Sequence, residues 1–129
     1  LALDKKYATL GYPVIAINPN DPKVQPEDSF EKMKERAAKY AYTFPYLVDE
    51  TQNVTRTYGA TRTPHVFVLE KEGSQFIVRY IGAIDDNTEK PEAVETPYVE
   101  RAVDALLSDS EVKMPMTKAI GCTIKWRKG

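Results

Sequence analysis

Thr61-Arg62-Thr63-Pro64-His65-Val66-Phe67-Val68-Leu69-Glu70 sets a proline at the mouth of an apolar strand. Proline has no backbone N–H for a ladder bond, so it belongs at a strand's first residue or at an edge. Val66 to Leu69 is a continuous β-branched and aromatic run, the pattern of a strand buried on both faces. On the other side, Asp49 to Gly59 has the form of a short capped helix. Asp49 stands as N-cap with Gln52 three residues on, Val54 and Tyr58 share a face, and Gly59 ends it. A helix, a Thr-Pro corner and a buried strand make a place where backbone can be offered to a partner.

Upstream, Val14-Ile15-Ala16-Ile17 is short, apolar and non-alternating, and predicts a buried parallel-type strand. Leu3, Tyr7 and Leu10 before it have helical spacing, with Gly11 as the stop. Nothing caps that helix, so the chain reads as beginning inside it. Pro26 predicts the first residue of a helix reaching about 41, with Phe30, Met33, Ala37 and Ala41 on one stripe. Phe44 to Val48 is a short extended piece. Downstream, Gln75 to Gly82 pairs with the 66–69 strand as an antiparallel hairpin. Thr96-Pro97 opens a final helix to about 107, buried through Tyr98, Ala102, Val103 and Leu106. Residues 108–129 form an arm. In it Cys122, Ile124 and Trp126 alternate with Thr123, Lys125 and Arg127, predicting a short edge strand that packs back on the body.

The chain has 129 residues, enough for one domain, and a net charge of −1, which argues against a nucleic-acid binder. No apolar run approaches the length of a membrane span, and no signal-peptide pattern opens the sequence. One cysteine, Cys122, cannot form an intramolecular disulfide, and fits an intracellular protein. His65 is the only histidine and has no second ligand beside it, so no metal site is expected. Asp85-Asp86-Asn87 lacks the ligand count and glycine placement of a calcium loop. There is no glycine-rich phosphate loop, and no cofactor is expected.

The order of elements, with Leu47-Val48-Asp49-Glu50-Thr51-Gln52-Asn53-Val54, Tyr58-Gly59-Ala60 and Thr63-Pro64-His65-Val66-Phe67-Val68-Leu69, resembles the thioredoxin-like fold. More narrowly, it resembles the redoxin branch, which holds the alkyl-hydroperoxide-reductase and thiol-specific-antioxidant proteins and their thiol–disulfide oxidoreductase relatives. The resemblance covers about residues 1 to 107, and Ile120 to Trp126 is similar to the tail of one bacterial subgroup. It implies an α/β three-layer sandwich with a mixed sheet: a single domain over 1–129, with 108–129 as its arm. It also implies a cis Pro64, with the Thr63 backbone open to an extended substrate peptide. Arg62 is a further candidate, for a thiolate or a peroxide oxygen.

The family's chemistry needs a nucleophilic cysteine on a strand-to-helix loop, where the helix N-terminus favours the thiolate. A second cysteine two residues on usually completes a C-x-x-C pair. This sequence has no such pair, and the family's position for it, like that of the first central strand, lies before Leu1. The expectation is therefore an N-terminally incomplete redoxin. It would be a thiol–disulfide oxidoreductase or thiol peroxidase with catalytic cysteines upstream of Leu1, acting on a disulfide protein or a peroxide. Residues 1–129 alone would be inactive. Cys122 reads either as a resolving thiol or as an apolar residue packed in line with Ile124 and Trp126. The competing reading is a redox-inactive thioredoxin-like protein-binding module. Expectations for assembly and compartment are a homodimer and the cytoplasm, with the periplasm left open by a lost N-terminal segment.

Overall fold

Helix α1 (Ala2–Tyr7) runs through a 3-10 turn, Ala8–Leu10, to Gly11 at φ 98°, a conformation that glycine adopts without a Cβ penalty. The structure, a computed structural model, describes residues 2–87 and 90–127. The described residues cluster into two compact units, 2–60 with 124–127, and 61–87 with 90–123. The mixed α/β arrangement is the expected one, and its strand pairing is divided among three two-stranded sheets.

In the first unit, buried Asp4 ties α1 to the chain that follows. Its carboxylate accepts the Val14 N–H at 2.9 Å and the Thr43 hydroxyl at 3.0 Å. Strand β1 (Ala16–Asn18) pairs in parallel with a later strand, Tyr46–Val48, with Ile17 opposite Leu47. This corrects the sequence reading in two ways. The strand begins two residues later than the apolar run, and it is not buried on both faces. Ile15, Ile17 and Leu47 are 59%, 43% and 50% exposed. The physical reason is that helix α2 (Phe30–Lys39) lies against Tyr46–Val48 (β2) and buries Met33, while Ile17 and Leu47 stay about half exposed.

Helix α2 does not start at Pro26. Pro26–Asp28 is a separate 3-10 turn, and Ser29 caps the helix by accepting the Lys32 N–H at 3.3 Å. A serine hydroxyl satisfies one of the orphan donors of a first turn, which proline cannot do. Phe30 stays exposed, with the Lys34 ammonium 4.8 Å from its ring centre.

Helix α3 (Asn53–Tyr58) also departs from its predicted cap. The Asp49 carboxylate reaches Thr55, accepting its N–H at 2.8 Å and its hydroxyl at 2.7 Å. Thr55 is therefore the buried residue, and Val54 and Tyr58 face solvent. Gln52 leaves the capping box altogether. At φ 62° and 1% exposure it turns inward. Its amide donates to the carbonyls of Pro19 (2.8 Å) and Lys125 (3.0 Å), and its oxygen accepts the Arg127 N–H at 2.9 Å. Asn20 adds a bond from the Lys125 N–H at 2.8 Å, and Ile124 is buried. Gln52 thus holds residues 124–127 onto this unit.

The second unit contains β3 (Arg62–Thr63), β4 (Val66–Glu72), β5 (Gln75–Gly82), α4 (Tyr98–Leu107) and β6 (Cys122–Thr123). β4 and β5 form the expected antiparallel hairpin, from Val66 opposite Gly82 to Glu72 opposite Gln75, with a register shift at Val68/Leu69. Arg79 joins Glu70 at 3.1 Å and Glu72 at 2.7 Å across it. Helix α4 packs on both strands and closes a core of Val68, Tyr80, Ala83, Val99, Ala102 and Val103.

Fully buried Tyr80 also anchors the arm. Its hydroxyl donates to the Ala83 carbonyl and meets the Thr117 hydroxyl at 2.6 Å, and that hydroxyl accepts the Ala83 N–H at 3.0 Å. Burial pushes the Tyr80 phenol up from its ordinary pKa, against the opposing pull of the Thr117 bond. The Ile81 N–H donates to Pro115 and the Thr117 N–H to Ile81, both at 3.0 Å, so residues 115–117 are stitched along the end of β5.

Replacing Gln52 by Met keeps volume but removes three hydrogen bonds from a buried site. We expect a loss of about 2 kcal/mol or more in urea unfolding, with faster amide exchange at Arg127, whose N–H loses its acceptor. An unchanged midpoint would show that Gln52 is not the clamp.

Candidate functional site

The Thr63–Pro64 peptide bond is cis, and Pro64 is exposed. Two contacts hold this corner, and neither is evident from local sequence pattern. First, His65 Nδ1 accepts the N–H of Thr61 at 3.1 Å, and its ring stacks on Phe67 at 5.0 Å. His65 is thus a brace across the turn. Burial holds its pKa below 6.5, and a nitrogen that accepts an N–H must be unprotonated.

Second, β6 pairs antiparallel with β3, Thr63 opposite Cys122 and Arg62 opposite Thr123. The Thr63 hydroxyl also reaches toward the Cys122 carbonyl at 3.4 Å. Gly121 lies directly on this pair. A Cβ there would stand 2.8 Å from the Thr63 carbonyl carbon, closer still to its oxygen, and 3.2 Å from Pro64 Cδ. The Thr63 backbone, expected to be open to a substrate strand, therefore carries a strand of its own chain.

The structure brings Arg62, Thr63, Pro64 and Cys122 to one corner. Cys122 is exposed, which corrects the reading of it as a packed apolar residue. Both side chains of the two-residue strand face solvent; of the three residues expected on the packed face only Ile124, in the other unit, is buried, and Trp126 is exposed. Arg62 is half-buried and has no ion pair or side-chain hydrogen bond among the described residues. No group of three or more His, Cys, Asp or Glu side chains among the described residues could hold a metal ion. No described helix is long and apolar enough to cross a membrane.

The Redoxin family profile matches residues 2–97. The chain belongs to the Redoxin family. Its fold is that of the thioredoxin-like proteins, and its family is of the thiol peroxidase and oxidoreductase type. Two solved structures are similar over 99% of this chain. One is a hypothetical protein from Sinorhizobium meliloti 1021, 37% identical at TM-score 0.86, of which this redoxin chain covers 70%. The other is an uncharacterized conserved protein from Geobacillus kaustophilus, 36% identical at TM-score 0.89, of which it covers 67%. No curated protein matches.

The folded pKa of His65 lies below 6.5, so below that pH the unfolded chain binds more protons than the native one. The brace's contribution is complete above pH 6.5 and fades as pH falls toward the lower folded value. NMR titration of His65 should give a midpoint under 6.5. His65→Phe should flatten the acid side of the stability curve, and a midpoint above 6.5 would refute the brace. For Gly121→Ala, overpacking against Thr63 should cost about 1–3 kcal/mol. Amide exchange in β3 and β6 should quicken, whereas a melt identical to the parent protein's would mean that the close approach carries no constraint.

Proposed function

We propose that this redoxin is a thiol–disulfide oxidoreductase or thiol peroxidase whose reactive thiols lie N-terminal to Leu1. In this reading the corner at Thr63 and Pro64 is the substrate side of the site. The observation that carries the reaction class is the Redoxin match over residues 2–97. Two features support the location of the thiols. The chain's one cysteine is not at a helix N-terminus, where a thiolate is favoured, but on β6. The bare apolar side of Ile15, Ile17 and Leu47 also offers a place for further chain to pack.

The chemistry is two-electron exchange. A thiolate attacks a sulfur of the substrate disulfide, one S–S bond forms as another breaks, and a substrate thiolate leaves. A second thiol then closes the enzyme disulfide and releases the reduced substrate. With a peroxide, the thiolate takes one oxygen to give a sulfenic acid, and the alcohol or water departs with a proton. A dithiol reductant restores the starting thiols. Cys122, exposed beside Thr63, is the candidate for the second thiol in this cycle.

The test uses the product of the natural reading frame, assayed with dithiothreitol for peroxide consumption and for insulin disulfide reduction. We expect turnover in at least one assay, abolished by alkylation, with no turnover by residues 1–129 alone. Cys122→Ser should spare the first thiol's burst and slow closure of the enzyme disulfide. A natural product with no cysteine before Leu1 and no activity would sink this reading. It would leave the redox-inactive binding module.

A further inference from the structure

The arm is fixed at two places in the second unit: residues 115–117 along Ile81–Ala83, and residues 122–123 on β3. The four residues between them, Lys118 to Gly121, span the gap. With Arg62 they line an open groove of about 330 Å³. Both basic groups of this groove are unpartnered among the described residues, and no carboxylate lines it. Arg79 in the same unit, by contrast, is neutralised by Glu70 and Glu72. The remaining wall is apolar: Ala119, half-buried, and Ile120, 54% exposed.

We propose that this groove binds an acidic side chain of an extended polypeptide. Two unpaired cations beside an apolar wall call for a ligand that joins methylenes to a carboxylate, as a glutamate side chain does. An inorganic anion would meet Arg62 and Lys118 but leave Ile120 uncovered. A guanidinium takes a carboxylate through two parallel N–H bonds, and the lysine ammonium adds a mobile point charge. Because both ends of the 118–121 span are hydrogen-bonded to strands, the groove exists before any ligand arrives, which lowers the ordering cost of binding. The groove adjoins Thr63, so acidic residues near the reactive disulfide would be selected in a protein substrate. That last step rests on the redox reading, whereas the binding does not.

The test is an NMR titration of the protein with a blocked pentapeptide carrying two glutamates, beside its diglutamine counterpart and free glutarate. The glutamate peptide should shift the amides of Arg62 and 118–121. Arg62→Gln and Lys118→Gln should each weaken binding about fivefold, as expected of surface ion pairs, and high salt should weaken it further. Arg101→Gln, an exposed unpaired arginine on α4, should leave it unchanged. Thermal melts confirm that each variant is folded. Equal binding of the diglutamine peptide, undiminished binding by the Arg62→Gln/Lys118→Gln double variant, or glutarate binding as tight as the peptide's would each overturn the proposal. A protein that binds the peptide but turns over neither disulfide nor peroxide retires the redox reading alone. One that turns over substrate but does not bind the peptide retires the groove alone.

Discussion

Gly121 meets the carbonyl of Thr63 with no room for a side chain between them. That approach lets β6 lie flat on β3, and much of the shape of this corner follows from it. With Gly121 in place, Thr63 is paired to Cys122, the thiol of Cys122 is turned outward, and Lys118 to Gly121 is drawn across Arg62. His65 supports the same corner from the other side of Pro64 by taking the Thr61 N–H. None of these contacts is strong in itself, since a net hydrogen bond contributes about 1 kcal/mol. Their effect comes from acting on five consecutive residues, 61–65, that have little room to move independently.

The first unit depends on a different device, a run of buried or half-buried polar side chains with their bonds satisfied. Asn18 donates to the Asp28 carbonyl at 2.7 Å, and Asn20 donates to the Asp28 carboxylate at 2.7 Å. Arg36 reaches the Tyr46 hydroxyl at 2.6 Å and the Glu27 carbonyl at 3.1 Å, and the Tyr46 bond raises its pKa further. Gln52 completes the set from α3. No buried side-chain nitrogen or oxygen among the described residues lacks a partner. Such groups are costly to bury unpaired, so once paired they fix one arrangement of the loops after β1. The unit compensates in this way for the side of its two-stranded sheet that leaves Ile17 and Leu47 in solvent.

Elements governed by local periodicity were legible in the sequence. The 75–82 strand, the hairpin around Gly73, the stop at Gly11 and the Ala102–Val103 face of the final helix all follow from residue spacing and turn chemistry. The Thr63–Pro64 corner was legible through resemblance, because a proline before an apolar run does not by itself specify a site. What escaped were choices decided by partners far along the chain. Gln52 has the spacing of a capping residue, yet the carbonyl of Lys125, 73 residues away, outcompetes the cap. Cys122 alternates with Ile124, yet a pattern of period two cannot show that the chain passes from one unit to the other between them. His65 carries no sequence signal for its bond to Thr61, since histidine is not a standard turn-forming residue.

The pairing of Thr63 with Cys122 joins residues 59 positions apart. In chain order, everything that shapes the corner's outer wall is synthesised long after the corner itself. The hairpin and α4 need only near neighbours and can assemble as they leave the ribosome, whereas the wall must wait for the arm. Until then Arg62 and the backbone of β3 stand open to whatever polypeptide is nearby. In a nascent chain the edge of β3 thus stays unpaired until residues 122–123 have been made, and the pairing of β6 is what closes it.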